Sequence, residues 1–374
     1  MPEPCILVKT SLGMERIAAA RIEELGYKAE PAPRGFKGLV LVYGCGDDVE
    51  KAAKLIEDNV VEADRVLRIL ASSPAEPHRI AETAAEISKN LIGSDECFAV
   101  RTVRRGRHAF TSIDVNVIVG DAVRKATGAC VNLSFPDKVV AVEIIQDRAF
   151  IAIYPGALEW KKMRPGKNPL YRLYRRVSVV QMPYLGPLDA CRNMGVRIGR
   201  EVQNFEVREL VIAPSGIVSG RELMEFLRGV FEGIESRYSV QARSYHRRVE
   251  RVQVYVQDIH QLVRDRRNEP IIVLEPEGEH VSKVVDELWR LVKGSKRINI
   301  LAGSREGIPL GIYRFADLVI DIAPGITLST EYAVASALIA IGTLLHERLG
   351  ELGEGGGSSG GSRGEAETVN GDQA

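Results

Sequence analysis

Two carboxylates and one guanidinium sit where the chain turns most sharply. Arg305 and Glu306 stand between Gly303 and Gly307, in the run Ala302-Gly-Ser-Arg-Glu-Gly-Ile-Pro309. Glu331 follows a second turn, Pro324-Gly325, after Ile326-Thr-Leu-Ser-Thr330. A carboxylate on a loop tip can take a proton, and a guanidinium can fix a phosphate or a nucleobase carbonyl. Arg305 is therefore a candidate positioning group, and Glu306 and Glu331 are candidate bases. Flanking glycines let a ligand reach main-chain N–H and C=O groups closely. A surface ion pair beside a turn would use the same Arg305-Glu306 pair, and both readings stand at this point.

The elements that must carry these loops are short and rich in β-branched residues. Runs 298–301 and 318–322 each end in a glycine turn, and 271–274 runs into Glu275-Pro-Glu-Gly278. Such runs read as buried parallel strands whose C-terminal ends face a ligand crevice. A small-residue helix is expected over 329–346, with Ser329 or Thr330 as its N-cap. Upstream, strands at 177–181, 210–213 and 249–256 alternate with helices at 189–205, 221–237 and 281–292. That spacing suits βα units of a mostly parallel sheet.

The first half of the chain is of another kind. Residues 5–72 read as strand, helix, strand, strand, helix, strand, the ferredoxin-like split βαβ order. No polar cluster converges there, so scaffolding is its expected job. Helix 77–91 leads to a strand from Cys97, helix 113–127, and a hairpin of 139–145 and 149–154. Arg101, Arg104, Arg105, Arg107 and His108 crowd that strand's end and turn with no acid between them. Planar guanidinium forks match phosphate, although a solvated patch uses the same residues. Residues 156–176 add Lys161, Lys162, Arg164, Lys167, Arg172, Arg175 and Arg176, opposed by Glu159 alone, with Trp160, Tyr171 and Tyr174 interleaved. Prolines at 155, 165 and 169 mark a linker. Its rings could stack bases while its cations track phosphates, or it could pack across a domain seam. Arg243, His246, Arg247, Arg248 and Arg251 form a third cluster, read as a solvated strand edge or a seat for RNA.

Three strand-to-turn loops in this order, ending in Pro324-Gly-Ile-Thr-Leu-Ser-Thr-Glu331, resemble the knot of SPOUT-class RNA methyltransferases. The resemblance implies a trefoil knot that cradles S-adenosyl-L-methionine (SAM). It assigns the cofactor to Leu274, Glu275, Pro276, Gly303, Ser304, Gly307, Ile308, Ile322, Pro324, Gly325, Leu328 and Thr330. Residues 97–154 resemble the THUMP domain of RNA-modifying enzymes. The matching features are Phe98, the arginine turn before Phe110-Thr-Ser112, Gly120, Asn132-Leu133, Pro136-Asp137 and the Val142-Glu-Ile-Ile145 hairpin. THUMP domains follow a ferredoxin-like domain and grip the 3′ end of tRNA, which implies RNA contacts at Arg101, Arg104, Arg105, Arg107 and His108. The basic clusters add Lys161, Lys162, Arg164, Arg175 and Arg176.

The expected fold is α/β: a ferredoxin-like domain (1–75) and THUMP α+β domain (76–156), a basic linker (157–176), a SPOUT α/β knot (177–349) and a disordered tail (350–374). The expected function is SAM-dependent methylation of RNA, with tRNA as the substrate. A non-catalytic RNA-binding adaptor is the alternative. Fifty Lys and Arg balance fifty Asp and Glu among 374 residues, so any RNA surface must be local. Five cysteines without a Cys-x-x-Cys read as small hydrophobes in a reducing cytoplasm. No metal site is expected, since the histidines lack ligand spacing, and no Gly-x-x-x-x-Gly-Lys-Ser/Thr loop supports ATP-dependent chemistry. The most apolar run, 333–345, is short for a bilayer span. Its apolar residues face nearly all sides, which implies a homodimer through this helix, with Ala335, Ala337, Ala340 and Gly342 at the contact.

Overall fold

The computed structural model describes residues 3–352 except 47 and 246. The expected tail therefore lies outside the described residues beyond 352. The chain forms two compact units that divide between Pro165 and Gly166.

The first unit holds β1 (Ile6–Thr10), α1 (Glu15–Glu24), β2 (Lys28–Pro31), β3 (Leu39–Tyr43), α2 (Val49–Asn59) and β4 (Ala63–Arg68). These strands make an antiparallel sheet in the order β2-β3-β1-β4, as the split βαβ pattern requires. Then come β5 (Ala71–Pro74), α3 (Pro77–Ser88), β6 (Cys97–Arg105), α4 (Ser112–Thr127), β7 (Cys130–Val131), β8 (Lys138–Ile145) and β9 (Arg148–Pro155). They form a second sheet, β5-β9-β8-β6-β7. The period-two alternation of the strands gives each sheet two apolar faces. One face of each lies under its own helices: Ile6, Val8, Val40 and Val42 in the first, Phe98, Val100, Val140 and Val142 in the second. The other faces pack together, Leu7, Leu39, Leu41 and Leu67 against Ala141, Ile145, Phe150 and Ala152. Two disulfides, Cys5–Cys45 and Cys97–Cys130, correct the reading of these residues as free thiols; only Cys191 is free, and it is buried. Spacing alone could not reveal pairs brought together by strand pairing, as Cys97 and Cys130 are on adjacent strands.

The second unit begins with α5 (Tyr171–Tyr174), then β10 (Val177–Gln181), α6 (Leu188–Phe205), β11 (Glu209–Ile212), α7 (Gly220–Ser244), β12 (Gln253–Val256) and α8 (Ile259–Asp265). It continues through β13 (Ile271–His280), α9 (Val285–Gly294), β14 (Ile298–Ala302), α10 (Leu310–Tyr313), β15 (Leu318–Asp321) and α11 (Thr330–Leu345). Its sheet has the order β12-β11-β10-β14-β13-β15, with every pairing parallel. One face carries Val179, Ile272 and Ile300 under α6, α7, α9 and α11; the other carries Val180, Val273 and Leu301 under α8 and α10. Two details fix this sheet. Arg266 donates to Ser178 (2.7 Å), Glu209 (2.9 Å) and Asn299 (2.7 Å), which ties the entry ends of β10, β11 and β14 together. On α6 and α7, Gly195 and Gly199 face Gly229 and Gly233, and a Cβ on any of the four would lie 2.0–2.2 Å from a carbonyl oxygen of the opposing helix.

Ile320 in β15 has two ladder partners, Leu274 and Glu279. The register of the β13–β15 ladder shifts over residues 275–278, so that two residues of β13 oppose one of β15. The approach there is tight: a Cβ on Gly278 would lie 2.5 Å from main-chain atoms of Val319 and Ile320.

Several expectations change in this unit. Residues 170–174 are not extended linker: Leu173 and Tyr174 are buried in the core, and the Tyr174 hydroxyl donates to the Leu338 carbonyl (2.9 Å). Tyr174 therefore cannot stack a base. Arg247 and Arg251 are not a merely solvated edge, since they pair with Glu206 and Glu235; His246 lies outside the described residues. Helical structure runs unbroken over Thr330–Glu351, 22 residues, long and apolar enough by composition to cross a bilayer. In this fold Val334, Leu338, Ile341 and Leu345 pack into the unit's own core. Ala337 is fully buried there and Gly342 packs against Tyr174, so neither is free for a second helix.

Candidate functional site

A cavity of about 330 Å³ opens at the C-terminal ends of β14 and β15, beside residues 274–276 of β13. Of the residues the sequence assigned to a cofactor, Leu274, Glu275, Pro276, Gly303, Ser304, Gly307, Ile322, Leu328 and Thr330 line it. Ile308, Pro324 and Gly325 do not. Ile308 is buried under the sheet, while Pro324 and Gly325 form an exposed turn. That turn closes with the Ile326 N–H donating to the Ala323 carbonyl (2.9 Å), and Gly325 has φ +78°, as a type II Pro-Gly turn demands. The sequence reading missed Ile320, Asp321, Ala323, Ile326, Thr327 and Ala333, which also line the cavity. Ala333 follows Thr330 by three positions on α11, a spacing that puts both on one helix face.

Glu275 organises the loops. Its Oε1 accepts the Ile308 N–H at 2.6 Å, and the carboxylate lies against Gly303 and Gly307. Burial holds its pKa above the usual carboxylate range, the Ile308 N–H opposes this, and Glu277 reinforces it. Gly307 has φ +71°, which favours glycine there. A Cβ on Gly303 would lie 2.9 Å from both Glu275 Oε1 and Gly307 Cα. A larger residue at 303 would thus spread the loop itself, besides filling ligand space. Gln181, fully buried at the end of β10, donates to the Gly303 carbonyl at 2.8 Å and pins the loop from behind. Ser304 Oγ is buried without a partner among the described residues, a polar atom left for a ligand.

Arg305 and Glu306 line the cavity and are exposed. The Arg305 guanidinium stands 5.5 Å from the centre of the Tyr184 ring, on the loop after β10. No acid among the described residues is paired with it, so the Arg305–Glu306 surface ion pair is not formed. Glu331 is placed differently. It does not line the cavity; its Oε1 accepts from Arg197 of α6 at 2.7 Å, and its Oε2 is buried unpaired. Burial pushes its pKa up, but its own N–H, Arg197 and Ser329 outweigh that and hold it below the usual range. Nearby Glu201 is pushed to about 7, first by burial and then by the Glu331 charge.

The basic residues of the first unit are more paired than the sequence suggests. Arg101 meets Glu159 (3.2 Å) and Arg105 meets Glu143 (2.6 Å), so the expected lack of counter-ions fails for both. Acids distant in sequence supply them. Arg104 donates to His108 Nδ1 (3.4 Å), while His108 Nε2 donates to the Gln146 carbonyl (2.5 Å). These contacts and the left-handed Gly106 (φ +115°) fold the turn against the hairpin end. Arg107 is exposed. Lys161 pairs with Glu159 (3.2 Å) and lies over Phe135, Arg164 is exposed, and Lys162 has partners of its own. Arg175 and Arg176 belong to the second unit, where Arg175 pairs with Glu206 (3.1 Å). A cleft of about 510 Å³ between the two sheets gathers Arg101 and Arg105 with Lys9, Lys37 and Arg65. The ferredoxin-like part thus contributes cations to this cleft, beside the acids Asp64 and Glu159. Its three cations, far apart in sequence, carried no local signal.

A family model described as AF2226-like SPOUT RNA Methylase fused to THUMP matches residues 171–365, and the THUMP domain model matches 75–154. The chain is 40% identical over 339 residues to the uncharacterized protein MJ0421 of Methanocaldococcus jannaschii, covering 90% of this chain and 92% of that one. It is 29% identical over 157 residues to the tRNA (guanine(6)-N2)-methyltransferase of the same organism, covering 39% of this chain and 40% of the other. Among solved structures, PH1313 from Pyrococcus horikoshii Ot3 aligns with 93% of this chain and 100% of its own at 15% identity and TM-score 0.35. The family match, the relative spanning nearly the whole chain and the all-parallel sheet with its loop cavity agree: this chain belongs to the SPOUT RNA methylases fused to a THUMP domain.

Proposed function

We propose that the protein transfers a methyl group from SAM to RNA, with tRNA as the substrate, in the cytoplasm. The observation that carries this is the cavity at the ends of β14 and β15, whose lining suits the donor. Leu274, Ile320, Ile322, Ile326 and Leu328 offer an apolar bed for a purine ring. Ser304 Oγ offers an unused hydrogen-bonding group, and Glu275, Glu306 and Asp321 outnumber the single guanidinium of Arg305. That balance suits a cationic sulfonium. SAM supplies an already activated methyl group, so the chain's own work is to position the acceptor and exclude water. Arg305, held over Tyr184, orients the incoming nucleotide through its phosphate or base carbonyl. Glu306, exposed at the rim, takes the proton where the acceptor atom must lose one. Glu331 is the weaker base, because Arg197 stabilises its charge. The first unit holds the RNA strand by its cleft and the Arg104–His108 turn.

The register break at 275–278, with Gly278 packed closely against the main chain of β15, supports the trefoil knot we assign. For the homodimer we assign the outward residues of α11, Tyr332 and Ile339, which are 59% and 56% exposed. Thr330 and Ala333 of this helix line the cavity, so a partner on α11 would adjoin the site.

Calorimetry with SAM, followed by nucleoside mass spectrometry of tRNA incubated with protein and SAM, tests the proposal. Micromolar SAM binding and one new methylated nucleoside are expected. RNA binding without SAM affinity would put the adaptor reading in its place.

A further inference from the structure

A second cavity, of about 470 Å³, lies on the α8 and α10 side of the parallel sheet, the face opposite α11. His260, Arg264 and Arg267 reach it from α8 and the turn after it, and Arg314 and Phe315 from the end of α10. Positions 260 and 264 are one helical turn apart on α8, and the turn after it brings Arg267 to the same hollow. No carboxylate lines the cavity. Several arginines of this unit are matched: Arg247 with Glu206, Arg251 with Glu235, Arg297 with Glu269. In this cavity Arg264 bonds only the neutral Gln261, and the guanidiniums of Arg267 and Arg314 have no partner among the described residues. Beside His260, whose Nδ1 lies 3.8 Å from Asp258, three arginines ring a hollow lined by no acid among the described residues. Phe315 is 56% exposed on its wall, at a cost that a stacked ring would offset.

We propose that this hollow is a second RNA contact: Arg267 and Arg314 take backbone phosphates of a single-stranded segment, and Phe315 stacks a base. Cations beside an exposed ring are the chemistry by which unpaired strands are held. The segment 303–315 joins this surface to the cofactor cavity, since it supplies Gly303–Gly307 to one and Arg314 and Phe315 to the other. The proposal rests on the RNA-methylating reading above.

Fluorescence anisotropy of a short labelled single-stranded RNA, read across a salt series on the full chain, tests it. Arg267→Ala with Arg314→Ala should bind roughly tenfold more weakly, and the salt slope should fall by about 1.4, near 0.7 per lost phosphate contact on a single strand. Phe315→Ala should weaken binding with the slope unchanged, because stacking releases no counter-ions. Gly311→Glu places an acid in the hollow, where a Cβ meets open space, and should mimic the double variant without removing a cation. Wild-type RNA affinity and slope in both the double variant and Gly311→Glu would overturn the proposal. So would inorganic phosphate or a mononucleotide titrating onto the wild type and lost in the double variant while RNA binding stays unchanged, which would mark a free-anion site. SAM calorimetry on the same proteins separates the two readings. All should bind SAM as the wild type does, and a wild type that binds none defeats the methyltransferase reading while leaving the RNA contrast intact.

Discussion

Glu275 and Glu201 are both half-buried carboxyls, and they answer to pH in different ways. Glu275→Ala leaves the Ile308 N–H without its acceptor and frees the 303–307 loop, so stability should fall by about 1–3 kcal/mol and SAM affinity with it. Glu275→Gln retains an acceptor and removes the charge. It should keep the melting temperature and lose SAM affinity, and equal SAM affinity in calorimetry would show that the charge is not used. Glu201 has a folded pKa of about 7, above its ordinary 4.5. Its contribution to stability is therefore fully present below pH 4.5 and is lost as pH rises through about 7. Denaturation at pH 5 and pH 8 should show the wild type weakening over that interval. Glu201→Gln should weaken less, and an identical slope would remove Glu201 from the account.

Helices and strands carried their own signatures, and the contacts between them did not. The glycine turns and β-branched runs announced β13, β14 and β15, and with them most of the cavity. The Thr111–Asp114 capping box likewise fixes the start of α4 after the arginine turn. The four glycines on α6 and α7 sit at i, i+4 in each helix, yet nothing local says that the two stripes meet. The fate of Tyr174 was equally hidden, because its partner, Leu338, lies 164 residues away. The counter-ions of Arg101 and Arg105 come from residues 159 and 143 for the same reason. Gly229→Ala tests the helix crossing. Its Cβ would lie 2.0 Å from the Arg192 carbonyl oxygen, so the helices must separate, at about 1–3 kcal/mol or more. Unchanged chemical denaturation would mean that the crossing relaxes freely.

At the scale of the whole molecule, the buried position of Ala337 changes how a dimer must be probed. Ala337→Arg would unfold the second unit's own core, so its loss of activity would say nothing about association. Ile339→Arg charges an outward position instead. It should yield a folded monomer in sedimentation equilibrium where the wild type is a dimer, and a dimeric variant would move the interface off this face. The first unit has helix-covered and sheet-to-sheet cores of its own, which is why its THUMP pattern was readable without reference to the second. The knot proposed from the register break at 275–278 has a consequence in time rather than in energy. A strand threaded through a knot cannot be added last by simple docking; either the surrounding segment closes around it or an end is drawn through. Refolding should therefore include a slow phase that proline isomerases do not accelerate. A bulky domain fused after α11 should lengthen that phase, whereas the same domain fused before β1 should leave it unchanged.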